Sequence, residues 1–127
     1  MLAMASKGYK MSYMFRDLYE VVEQRRIARE EGSYTAYLFE SGLDKILKKV
    51  GEETAETIIA AKNLRSGEED GSGDRNAFIN ETGDLLYHLT VMLCELGVRP
   101  EEVEHVLRER MKKTGNLKQF HESDKDT

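Results

Sequence analysis

Apolar residues recur at three- and four-residue intervals along almost the whole chain, and the single proline, Pro100, lies between two such stretches rather than inside one. Spacing of i, i+3, i+4 and i+7 marks one face of an α-helix, and proline is tolerated there only in the first turn. Phe15, Leu18, Tyr19 and Val22 follow the pattern and predict a first helix from about Tyr13 to Glu30. Gly32 and Ser33 break it. Ser33 to Gly42 carries Tyr34, Tyr37, Leu38 and Phe39 with weak helical periodicity and reads as an aromatic connector. A second helix starts near Leu43, with Ile46, Leu47, Val50, Ile58 and Ala61 as its stripe, and fades between Asn63 and Ser66. The polar, glycine-rich run from Gly67 to Asp74 predicts a mobile loop between two antiparallel helices. The third helix spans about Arg75 to Leu96, with Phe78, Leu85, Leu86, Leu89, Leu93 and Leu96 inward and Gly97 as its stop. Pro100 opens a fourth, in which Val103, Val106, Leu107 and Met111 repeat at helical spacing.

Charged residues make up 34% of the chain, Trp is absent, and Glu, Lys, Leu and Ala abound, which favours helix over sheet. The expectation is an all-α protein: an antiparallel bundle of four main helices, completed by oligomerisation because 127 residues enclose only a small core. Residues 1–13 read as a flexible extension without the apolar core of a signal peptide, with Met4, Met11 and Met14 as alternative starts. Residues 14–113 form the domain and 114–127 a polar tail.

A net charge of −5 and the lack of any sustained basic run argue against nucleic-acid binding. No segment approaches the roughly 20 apolar residues of a membrane span. The single cysteine, Cys94, lies in an apolar stretch, so a reducing cytoplasm is the natural compartment.

Two acidic clusters interrupt the apolar pattern: Gly51-Glu52-Glu53-Thr54-Ala55-Glu56 and Glu81-Thr82-Gly83-Asp84. Each places carboxylates one helical turn apart, and residues at i and i+3 share a face. At about 100° per residue, Val50, Thr54, Thr57 and Ala61 cluster near the centre of the second helix's stripe, with Glu53 at its edge and Glu56 further round. Glu81, Asp84 and His88 occupy one flank of the third helix. A carboxylate beside a core is disfavoured unless a cation or donors compensate it, and hard cations such as Mg²⁺ prefer oxygen ligands while keeping water and phosphate among them. The two clusters therefore suggest a divalent-metal site between two helices, suited to a polyphosphate.

Simpler roles compete. Lys48 and Lys49 stand four residues before Glu52 and Glu53, a spacing that also gives surface ion pairs of about 0.3–0.5 kcal/mol. Lys45, Lys48 and Lys49 are candidates for phosphate contact, or a solvated basic turn neutralised by the following acids. His88 is more readily structural than a ligand, since its spacing is not that of di-iron bundles. Cys94 reads as core. No serine, cysteine or phosphate-loop motif supports a side-chain nucleophile.

The strings Ser33-Tyr34-Thr35 and Gly42-Leu43-Asp44-Lys45-Ile46-Leu47-Lys48-Lys49-Val50-Gly51-Glu52-Glu53, followed by Glu56, Glu81-x-x-Asp84-Leu85-x-Tyr87-His88 and Gly97-Val98-x-Pro100-Glu101-Glu102-Val103, resemble the phosphoribosyl-ATP pyrophosphohydrolase family. The acidic pattern alone is similar to the wider MazG-like, all-α nucleoside triphosphate pyrophosphohydrolases. The resemblance covers about Phe15 to Met111. It implies Mg²⁺-dependent hydrolysis of phosphoribosyl-ATP to phosphoribosyl-AMP and pyrophosphate, the second step of histidine biosynthesis, by a homodimer or higher homo-oligomer. It also implies Glu53, Glu56, Glu81 and Asp84 as metal ligands and Glu52 as a further ligand or the residue orienting water. Beside these, Lys45, Lys48, Lys49, Tyr34 and His88 are the candidates for the substrate side. The long loop from Arg65 to Arg75 and the tail from Gly115 to His121 depart from the resemblance. Two alternatives remain at this level: action on another nucleoside triphosphate, and a non-catalytic helical interaction module.

Overall fold

The computed structural model describes residues 11–65, 72–113 and 118, and among them every regular element is a helix. Helix α1 spans Met11–Ala28, α2 Tyr34–Ser41, α3 Leu43–Arg65, α4 Ser72–Glu95 and α5 Pro100–Lys112. The all-α expectation holds, with one element more than the four main helices. No helix among the described residues is long and apolar enough to cross a membrane.

The additional helix is α2, expected as a connector. Ser33 caps it, its Oγ accepting from the Ala36 amide at 3.1 Å, so one of the unsatisfied first-turn donors finds a partner. Gly42 ends it with φ of 96°, a conformation open to glycine at little strain, and its amide donates to the Leu38 carbonyl. Two turns give little periodicity, which hides such a helix from pattern reading. Helix α4 begins at Ser72, three residues before the expected Arg75, so Ser72 to Asp74 belong to it rather than to the loop. It closes on Gly97 with the Val98 amide donating to the Leu93 carbonyl and the Gly97 amide to that of Cys94, the paired bonds of a Schellman ending. The expected extension up to residue 10, the loop at 66–71 and all of the tail except Lys118 lie outside the described residues.

The core joins four helices: Tyr19 and Val22 of α1, Leu38 and Phe39 of α2, Ile46 of α3, and Val91 and Cys94 of α4. Each fully buried aliphatic side chain contributes about 1.5–3 kcal/mol. The most extensive packing is between α3 and α4, and α1 lies against α2, α4 and α5. Polar contacts add to the α1 seam: the Cys94 thiol donates to Glu23 at 3.1 Å, and Glu23 also accepts from Arg26.

The faces differ from the helical projection. On α3 the buried positions are Ile46, Glu53 and Ala60, while Thr54 is exposed and Ile58 is 59% exposed. The inward face is therefore rotated toward Glu53 because α4 covers that side. On α4, His88, Thr90, Val91 and Cys94 are buried, whereas Leu96, just past its end, is exposed. Helix α5 buries no residue, and its Val103, Val106, Leu107 and Met111 all remain exposed. Val103, Leu107 and Met111, with Phe15, Leu86 and Leu93, flank an apolar groove of about 390 Å³.

Candidate active site

Helices α3 and α4 run antiparallel, and Thr57 fixes their register. Its hydroxyl lies 2.7 Å from the Glu53 carbonyl on its own helix and 3.1 Å from the Glu81 carbonyl on the other. This clamp sets the two acidic clusters opposite one another. Glu53, Glu81 and Asp84 each offer a carboxylate oxygen, and the three oxygens lie within 4.8 Å of one another. Glu53 is buried, Glu81 half-buried and Asp84 exposed, so the cluster opens outward from the helix seam.

Glu53 Oε2 and Glu81 Oε2 are buried without a hydrogen-bond partner. A buried carboxylate oxygen lacking a donor is unfavourable, and a cation is the usual compensation. The donor set consists of oxygens alone, which suits a hard divalent ion. Glu56 is exposed beside this trio and makes a carboxyl–carboxylate hydrogen bond to Glu81. That contact, then burial, then the charges of Glu56 and Glu53 push the Glu81 carboxyl up to about 7. Crowding of like charges has this effect wherever a bound cation is absent. Glu56 and Glu81 also line a cleft of about 220 Å³ with Asn63 and Asp74.

Lys49 stands between the neighbouring acids, its Nζ 2.9 Å from Glu52 and 3.7 Å from Glu53 Oε1. Its ammonium hydrogen bond holds the exposed Glu52 carboxyl below the usual range. Glu52 thus lies outside the trio, tied to a lysine one turn before it. Lys45 sits over the Tyr37 ring, 5.9 Å from its centre, and its hydrogen bond lowers the Tyr37 hydroxyl pKa. Lys48 is exposed.

His88 is buried with both ring nitrogens engaged. Nδ1 lies 2.7 Å from the Asp84 carbonyl, which can only accept, so Nδ1 carries the proton. Nε2 then accepts from the Tyr34 hydroxyl at 2.9 Å. The ring therefore joins α2 to the turn of α4 that bears Asp84, and has no lone pair left for a metal. Beside it, Thr35 and Tyr87 join their hydroxyls. In Ser33-Tyr34-Thr35 the first residue caps α2 and the next two fasten it to α4. Burial pushes the Tyr34 hydroxyl above its ordinary pKa, with the Lys49 charge opposing.

Sequence reasoning missed Thr57, Thr35 and Asp74. Thr57 lies one residue beyond Glu56, but a threonine at a stripe centre reads as packing, and its second carbonyl partner is a tertiary feature. Asp74 fell within the expected loop.

Carboxylates converging from two antiparallel helices, with every regular element among the described residues a helix, define a class of all-α proteins with an oxygen-only site. A family model described as phosphoribosyl-ATP pyrophosphohydrolase matches residues 15–111, and the chain belongs to that family. It is 52% identical over 104 residues to the phosphoribosyl-ATP pyrophosphatase of Streptococcus thermophilus, covering 82% of this chain and 91% of the relative. The corresponding protein of Pelotomaculum thermopropionicum is 51% identical over 100 residues, 79% and 93% of the two chains. A histidine biosynthesis bifunctional protein HisIE of Thermoanaerobacter pseudethanolicus is 49% identical over 90 residues, 71% of this chain and 38% of that one.

Proposed function

We propose that the protein hydrolyses the α–β phosphoanhydride of phosphoribosyl-ATP to phosphoribosyl-AMP and pyrophosphate, within cytoplasmic histidine biosynthesis and with Mg²⁺ as cofactor. Family membership supports the substrate. The observation that carries the chemistry is the pair of buried, unpartnered oxygens on Glu53 and Glu81.

Glu53, Glu81 and Asp84, with Glu56 at the cleft side, would hold the cation. When bound, Mg²⁺ supplies neutralisation of phosphate charge and a lowered pKa for a nearby water. The rest falls to the chain's own groups. Lys49, with Lys45 and Lys48 on the same helix, attracts the polyphosphate. Glu52, held by Lys49, would orient water or add an oxygen ligand. Tyr34 contacts the nucleoside, and His88 fixes Tyr34 relative to Asp84. Water is the nucleophile, and the carboxylates of the cluster serve as ligands.

The unburied apolar face of α5 and the groove beside it support a homodimer, as self-association would remove Leu107 and Met111 from water. The test of the substrate is pyrophosphate release with Mg²⁺ from phosphoribosyl-ATP, ATP, dCTP and dUTP. Preference for phosphoribosyl-ATP is expected. Preference for a simple triphosphate would move the protein to the wider MazG-like group, and release from none would leave a non-catalytic module.

A further inference from the structure

The turn after α1 and the outer face of α2 enclose a cleft of about 560 Å³, distinct from the one beside Glu56 and Glu81. Its walls are aromatic and acidic. Tyr34 and Tyr37 come from α2, Glu30 and Glu31 from the turn, and Glu40 from the last turn of α2. Arg29 is the cation in the lining, and its Nε already donates to the Arg26 carbonyl at 2.9 Å. Three carboxylates against the Arg29 guanidinium and the Lys45 ammonium that lies over the Tyr37 ring still leave the cleft negative, which favours a cationic occupant.

The aromatic pair favours a flat one. The rings of Tyr34 and Tyr37 stand 6.0 Å apart at 32°. Insertion of a third ring needs two contacts of about 3.5 Å each, so a planar group stacks on an open face rather than between them. Both residues are about half exposed, with Lys45 over one face of the Tyr37 ring.

Tyr34 also connects the cleft to the carboxylates. Its hydroxyl donates to His88 Nε2, and His88 Nδ1 donates to the carbonyl of Asp84. Tyr34 thus lines the cleft while its hydroxyl is joined to the turn of α4 that bears Asp84 and feels the charges of Lys49 and Glu53, so the cleft adjoins the carboxylate site. In phosphoribosyl-ATP the adenine is alkylated at N1, and N1-alkylated adenine is a cation near neutral pH. The adenine of ATP is neutral.

We infer that the cleft bounded by Glu30, Tyr34, Tyr37 and Glu40 is a base subsite that takes N1-alkylated adenine as a cation and thereby selects phosphoribosyl-ATP over ATP. The inference rests on the substrate proposed above. Stacking on the tyrosines supplies affinity for either base, and cation–π attraction together with the acidic rim supplies the discrimination.

Binding of 1-methyladenosine and adenosine to the full chain, without metal, reads the subsite apart from catalysis. The methylated nucleoside is expected to bind at least about fivefold tighter, perturbing the Tyr34 and Tyr37 ring resonances. Tyr37→Ala is expected to weaken it about tenfold. In the surface variant Glu30→Gln/Glu31→Gln/Glu40→Gln the preference for 1-methyladenosine shrinks, and the kcat/KM ratio of phosphoribosyl-ATP over ATP falls through KM. Equal binding of both nucleosides to the unmodified chain, or an unchanged ratio in the triple variant, overturns the inference. Selective binding of 1-methyladenosine by a chain that does not hydrolyse phosphoribosyl-ATP overturns the assigned substrate and supports the subsite.

Discussion

Glu53 of α3 and Glu81 of α4 each turn one carboxylate oxygen into the seam between their helices, and neither oxygen has a hydrogen-bond partner. Their closeness, with Glu56 bonded to Glu81, makes the metal-free site a store of like-charge repulsion.

A pH dependence follows. The Glu81 carboxyl is pushed up to about 7 from an ordinary 4.5, so between these values the folded chain binds a proton that the unfolded chain has released. Stability of the metal-free protein therefore falls as pH rises through that window. Glu23 and Glu52 shift the other way, and their effect lies below 4.5. Urea midpoints without metal are expected to decline between pH 5 and about 7.5, and the decline to flatten in Glu81→Gln. Mg²⁺ should restore more stability at the alkaline end, where no proton competes. A midpoint that rises across the window contradicts this reading.

The Tyr34–His88 bond gives a second prediction. His88→Ala removes a buried ring and leaves the Tyr34 hydroxyl without its protein acceptor, an expected loss of about 1–3 kcal/mol in urea unfolding. Tyr34→Phe leaves only Nε2 unsatisfied at the rim of the site and should cost about 1 kcal/mol. Losses below about 0.5 kcal/mol in both would show that the ring does not fasten α2 to α4.

How much of this was legible in sequence depended on range. The acidic pairs were readable because i, i+3 spacing on a helix is a local fact. The short α2 was not, since its stability comes from the Ser33 cap and from Tyr34 and Thr35 bonded to residues more than 50 positions away. Glu53 was placed at a stripe edge because the projection weighed hydrophobicity alone. The structure buries it and exposes Thr54, because the position of α4 decides which face is inward. The stripe of α5 was read correctly as a pattern, yet a pattern does not say whether this chain or another covers it.

Cys94 should be chemically silent in the native protein. Burial, then its hydrogen bond to the Glu23 carboxylate, push the thiol from 9.0 up to about 12, and the thiolate is the reactive form. Iodoacetamide at about pH 8 is expected to label it only in denaturant, at a rate that follows unfolding. Rapid labelling of the folded chain would contradict the closed α1–α4 seam.

The exposed face of α5 predicts a self-association that charge disrupts. Sedimentation of the unmodified chain should give a dimer, and Leu107→Glu a folded monomer. A monomeric parent at micromolar concentration, or a variant that still pairs, would place the contact elsewhere.

The most direct measurement is Glu53→Gln, which keeps the shape of the buried side chain and removes its charge. The expected result is a folded protein whose melting temperature no longer responds to Mg²⁺, with pyrophosphate release from phosphoribosyl-ATP reduced about 100-fold or more. A folded Glu53→Gln protein with near-normal release and an intact Mg²⁺ response would contradict it.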